Sequence, residues 1–237
     1  MLPKASCKNC RDRTSFVELD ILRNLLKPYR VAAEIPTRRP KEIPKLFPIK
    51  GFRNGREFDM CIPIAEHPVP IILPIFRPPA WIDNRQYAGG AEVIQAVYIL
   101  PKGNPPVEEM KRKYSIDEIA FDVSFHPISV LRFVTKIAYG YAVAGLGLKS
   151  FAKIYVTKAI LGETEDIGMW AGNISSDYTN PTSDGHKINI KIRDGKYITA
   201  GVQLFCNYGC PEYYVILGEL DPEIDIQSLK QAHFPSS

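Results

Sequence analysis

Cys7-Lys8-Asn9-Cys10 is the stretch of this 237-residue chain whose residue types and spacing come nearest to working chemistry. Two thiolates three residues apart can grip one tetrahedral zinc from a tight turn; zinc takes four ligands, so the motif is half of a metal clip. No second Cys-x-x-Cys follows, and the first histidine is His67. A redox use has little support, because no strand pattern precedes the pair and no βαβ pattern follows it. A second pair, Cys206-x-x-x-Cys210, sits on a Gly- and Asn-containing turn with no third ligand near it in sequence, and reads as two incidental thiols. His67, His126, His186 and His233 are scattered. Asp117-Glu118 and Glu163-Thr164-Glu165-Asp166 read as surface or helix-start charges rather than an acid/base pair. No phosphate-cradling glycine loop and no Ser/His/Asp signature occurs.

The net charge of +4 hides an uneven distribution. Residues 1–56 hold 14 Lys and Arg against 5 Asp and Glu, a surplus of +9 that leaves −5 for the remainder. Within this front quarter Pro36, Pro40, Pro44 and Pro48 recur every four residues, which excludes an α-helix and predicts an extended arm over 36–50. Arg38, Arg39, Lys41 and Lys45 would project from that arm and suit a phosphate backbone, so nucleic acid is the expected partner. A charged linker between two folded parts accounts for the same residues.

Hydrophobic residues at 45% and charged residues at 24% permit an ordinary buried core. No run of about 18 apolar residues and no charged-then-apolar leader is present, so neither a membrane span nor a secretory signal is expected. Five cysteines without a leader favour a reducing, cytoplasmic setting over a disulfide scaffold.

The elements that must position these residues follow from periodicity. Ser15 and Glu18 have capping-box spacing, and Ile21, Leu22, Leu25, Leu26 and Tyr29 trace an apolar stripe, so a helix is predicted from Ser15 until Pro28 stops it near Lys27. Phe58 to Phe76 reads as irregular or edge strands interleaved with prolines. Residues 77–92 and 101–114 read as loops, with Val93–Leu100 and Phe121–Phe125 as strands between and after them. Leu131, Val134, Thr135, Ala138, Tyr141, Ala142 and Leu146 define a long helix after His126-Pro127, and Phe151–Leu161 a shorter second one. Lys187–Ile192 alternates, Arg193–Lys196 turns, Tyr197–Phe205 returns, and Tyr213–Leu217 adds a third strand. The expected class is α+β, with antiparallel strands around a helical pair.

Leu2–Cys10, the helix start at Thr14–Glu18 and the basic Arg38-Arg39-Pro40-Lys41 together resemble HNH endonuclease-like proteins. The Arg132–Tyr139 helix resembles the domain that accompanies the finger in them. The resemblance implies a remnant of a ββα-metal finger with its basic arm over residues 1–50, then an α+β accessory domain over 51–237. Cys7 and Cys10 would be the second thiolate pair of the finger's zinc. The family's first Cys-x-x-Cys and its strand histidine, the general base that works beside a divalent metal, have no counterpart here, and Arg11 stands where such fingers often carry Asn. The chain is thus expected to be a truncated or degenerate member; if the full chain begins further upstream, the frame before Met1 should encode the missing Cys-x-x-Cys and strand histidine. The alternative is a non-catalytic protein that binds nucleic acid or a protein partner.

Overall fold

A computed structural model describes residues 7–36, 43–121, 125–175, 179–182 and 185–225. The class is α+β. The chain divides into two compact units, each discontinuous in sequence: residues 1–18, 74–96 and 126–237 form unit 1, and residues 19–73 and 97–125 form unit 2. The expected boundary at residue 50/51 falls inside a strand.

Unit 1 is a sheet backed by one long helix. Helix α5 (Pro127–Leu146) begins after His126, whose extended backbone caps it, with Pro127 in the first turn where its missing N–H costs nothing. Leu131, Val134, Thr135, Ala138 and Ala142 are fully buried, the face that the spacing marks out. The sheet runs in the order β6 (Phe151–Ile154), β10 (Glu212–Leu220), β9 (Tyr197–Leu204), β8 (His186–Arg193), and β7 (Ala171–Asn173) also pairs with β10. All these pairings are antiparallel. The hairpin β8–β9 and the third strand lie where alternation places them.

The stretch expected to be one helix over 151–161 is instead β6 followed by a single turn, α6 (Thr157–Ile160). Its partner decides this. A Cβ on Gly218 would stand 2.1 Å from the Lys153 carbonyl, so only a glycine there lets β6 pair with β10. Two short helices also occur: α3 (Ala80–Asp83), in a segment read as loop, and α7 (Ile167–Trp170), which follows directly on Asp166, one of the charges read as helix-start or surface. The buried Asn173 ties unit 1 together: its amide oxygen accepts the Phe76 N–H at 2.9 Å and its nitrogen donates to the Glu212 carbonyl at 2.9 Å.

Unit 2 is built on a hairpin. Strands β1 (Leu46–Arg53) and β2 (Arg56–Pro63) pair across Asn54-Gly55, and β5 (Glu118–Ala120) adds to β1. Asn54 and Gly55 both have positive φ, as a tight hairpin turn demands. The arm expected over 36–50 is therefore strand from Leu46 on. Helix α4 (Asn104–Tyr114) replaces a predicted loop: Pro105 and Pro106 occupy its first turn, where proline is tolerated, and Val107 and Met110 are buried. Ile49, Ile62, Met110 and Ile116 form the core. Strands β3 (Ile71–Phe76) and β4 (Val93–Ile99) make a two-stranded ribbon, a setting that tolerates Pro74, and the division between units falls within both. The Phe121–Phe125 strand prediction falls mainly on residues 122–124, outside the described residues.

Candidate metal clip and basic surfaces

Helix α1 (Lys8–Asp20) starts seven residues earlier than the capping-box spacing implies. Ser15 does not cap; its hydroxyl donates to the Asp12 carbonyl at 2.8 Å inside the helix. Glu18 instead takes the Lys136 ammonium at 2.6 Å, and the same ammonium reaches the Thr14 hydroxyl at 2.6 Å. Arg13 bonds the Glu163 carboxylate at 2.7 Å and the Leu161 carbonyl at 3.1 Å. Two long basic side chains thus fix the first half of α1 within unit 1. After a π-helical turn over Ile21–Leu25 the chain re-enters a helix, α2 (Lys27–Ala32), so Pro28 opens a helix rather than ending one. Ile21, Leu25 and Leu26 are buried, as their stripe predicts.

This anchoring places the cysteine pair on the opening turn of α1. Cys7 precedes the first helical residue and is exposed; Cys10 is half-exposed one turn on. The Cys10 N–H donates to the Cys7 sulfur at 3.3 Å. That donation holds the Cys7 thiol below its ordinary pKa, while the Cys7 side chain beside it pushes Cys10 up. Two sulfurs brought together on one turn, one of them biased toward thiolate, fit half of a zinc tetrahedron. Among the described residues no three His, Cys, Asp or Glu side chains are grouped to hold a metal. Phe16 and Leu19 on the same helix are 54% and 42% exposed.

Of the proposed nucleic-acid contacts, Lys45 is exposed just before β1, and Arg38, Arg39 and Lys41 lie outside the described residues. Other members of the basic surplus are engaged internally. Lys50 pairs with Glu57 at 2.8 Å, and Arg53 donates to the Ser115 and Tyr114 carbonyls at 2.7 and 2.9 Å.

Cys206 and Cys210 lie in the connection between β9 and β10 and are wholly buried. Burial, with Cys206 adjacent, pushes the Cys210 thiol up to about 12, so it is a neutral thiol and a poor ligand. His67 is 2% exposed between the rings of Phe47 and Phe121, its Nδ1 accepting the Val69 N–H at 3.0 Å. Burial holds it down at about 4. It is a neutral core residue. His233 is outside the described residues. Glu163 and Asp117 serve structure: Asp117 accepts the Asn54 N–H at 2.8 Å, closing the hairpin turn.

One group of side chains has no counterpart in the motif scan. Trp81, Lys153, Tyr155, Trp170, Arg193, Lys196 and Tyr197 converge on unit 1 from five separate elements. Their spacing in sequence carries no pattern, so only the fold assembles them. Comparison with protein-family models, with curated proteins and with solved structures found no match to this chain. Among the described residues no helix is long and apolar enough to cross a membrane.

Proposed function

We propose that this chain is part of an HNH-type nuclease assembly, to which it contributes the second thiolate pair of a structural zinc, the helix behind it and a basic arm toward nucleic acid. The observation that carries this reading is the placement of Cys7 and Cys10. They open a helix whose inner side is fastened by Arg13 and Lys136, leaving both thiols where ligands from another segment can complete a tetrahedron. The open faces of Phe16 and Leu19 agree with it, because the other half of a finger would cover such apolar surface. The family's general base and its divalent metal have no residues assignable in this chain. Catalysis therefore needs groups supplied from elsewhere.

The test is zinc retention under graded chelator. The parent chain is expected to hold zinc weakly, and Cys7→Ser with Cys10→Ser to abolish that retention while the fold persists. Equal zinc in parent and double variant would remove the clip. The second reading, a non-catalytic nucleic-acid-binding protein, draws on the +9 surplus of residues 1–56 and needs no zinc. It predicts salt-sensitive binding that survives the double serine variant and weakens when Arg38, Arg39, Lys41 and Lys45 become Ala.

A further inference from the structure

We propose that the cation-and-aromatic patch of unit 1 binds single-stranded nucleic acid, bases stacking on its rings and phosphates held by Lys153, Arg193 and Lys196. Trp170 lies flat against Tyr155, ring centroids 4.4 Å apart at 18°. The Tyr155 hydroxyl donates to Glu219, whose other oxygen takes Lys196 at 3.2 Å, so the carboxylate's two oxygens fasten the ring and the lysine. Trp81 stands edge-on to Tyr197 at 4.7 Å. Over these rings sit the cations: Lys153 at 5.4 Å from Tyr155, Lys196 at 5.2 Å from Tyr197, and Arg193 at 6.0 Å from Trp81. Arg193 also pairs with Asp194 at 3.4 Å, across largely exposed side chains.

This arrangement suits an exchange. An exposed cation over a ring is held weakly, whereas a base stacked on an aromatic side chain is held more strongly and a phosphate draws the cation to itself. A nucleotide can satisfy both partners at once, taking the ring with its base and the cation with its phosphate. The patch also continues along the sheet. Lys187, Lys191 and Arg193 are exposed and share one face of β8, the outer strand, so charge extends along the edge as a backbone-tracking groove requires. Three cations against Glu219 and Asp194 leave the cluster positive.

The patch uses none of residues 7–45 and stands apart from the metal-clip reading. The chain's two tryptophans, Trp81 and Trp170, both lie in it, so tryptophan emission, excited selectively over the tyrosines, reports on this surface. The full chain is titrated with an oligothymidylate of about 12 nucleotides, a stacking-competent single strand. Saturable quenching is expected, with log affinity falling against log salt at a slope of about −2 for three phosphate contacts. Lys153→Ala, Arg193→Ala and Lys196→Ala combined, all exposed positions, should weaken binding at least about ten-fold and flatten that slope. Replacing Arg38, Arg39, Lys41 and Lys45 by Ala should leave the quenching in place. Absent quenching, undiminished binding by the triple variant, loss of quenching in the arm variant alone, or equal affinity for a duplex of the same length would each overturn the proposal.

Discussion

The two cysteine pairs of this chain are nearly alike on paper and opposite in the fold. Cys7 and Cys10 stand at a helix opening with at least one sulfur in water, and a backbone N–H favours the Cys7 thiolate. Cys206 and Cys210 point into the core from the β9–β10 turn, and burial keeps Cys210 protonated. Spacing makes both pairs possible ligands; solvent access and local hydrogen bonding decide which can act. The lesson covers histidine too, since His67 titrates at about 4 because it is packed between two rings.

The contrast breaks first on reactivity. Of five thiols, Cys7, Cys10 and the exposed Cys61 should react with an aromatic disulfide reagent in the native protein, and Cys206 and Cys210 only on unfolding. The buried pair must wait for an opening, so its rate should be lower by a factor on the order of 10³. Five fast thiols in the native state would erase the distinction.

Next in size is acid stability. The folded pKa of His67, about 4, lies below its ordinary 6.5, so the unfolded chain binds the proton more readily. The contribution is fully present above about pH 6.5 and is lost as pH falls toward 4, about 3 kcal/mol across the window. Urea titrations at pH 7.5 and 4.5 should show that loss, and His67→Gln should flatten it. A parent whose stability is level between the two would show that His67 is not sealed.

Smaller effects sharpen the same contrast. Cys210→Ser places a more strongly solvated hydroxyl in a buried site, and a cost of about 1–3 kcal/mol is expected in the midpoint of unfolding. Cys7→Ser should change stability by less than about 0.5 kcal/mol, because its side chain is at the surface. If the two substitutions cost the same, the pairs are not opposites.

Much of unit 1 was legible in the sequence. Helix α5 and the β8–β9–β10 meander follow from a 3.6-residue stripe and from alternation, because each buries one face against a single neighbour. Unit 2 was less so. Asn54-Gly55 between Arg53 and Arg56 is a strong hairpin signal, obscured by the proline rhythm around it. Pro105-Pro106 concealed α4, although Val107, Met110 and Tyr114 show helical spacing beyond them. Strand β6 was out of reach, since its form depends on Gly218, over sixty residues away. Of the candidate site, the cysteine pair was readable as a motif, but its place on the first turn was not. Glu18 is drawn to Lys136, a partner that no local rule supplies. The aromatic patch had no linear signature at all.

The interleaving of the two units has a consequence for how the chain emerges from the ribosome. Every residue of unit 2 has been synthesised once residue 125 is made, while residues 126–237 of unit 1 are still to come. Helix α1 is made before the strands of unit 2, yet Lys136 and Glu163, which fasten it, arrive long afterwards. During that interval Cys7, Cys10 and the apolar side chains of α1 wait without their native supports. Helix α1 is made early and secured late, so a nascent chain stalled once residue 125 has cleared the ribosome, before Lys136 and Glu163 have emerged, should hold unit 2 folded while that helix remains undocked.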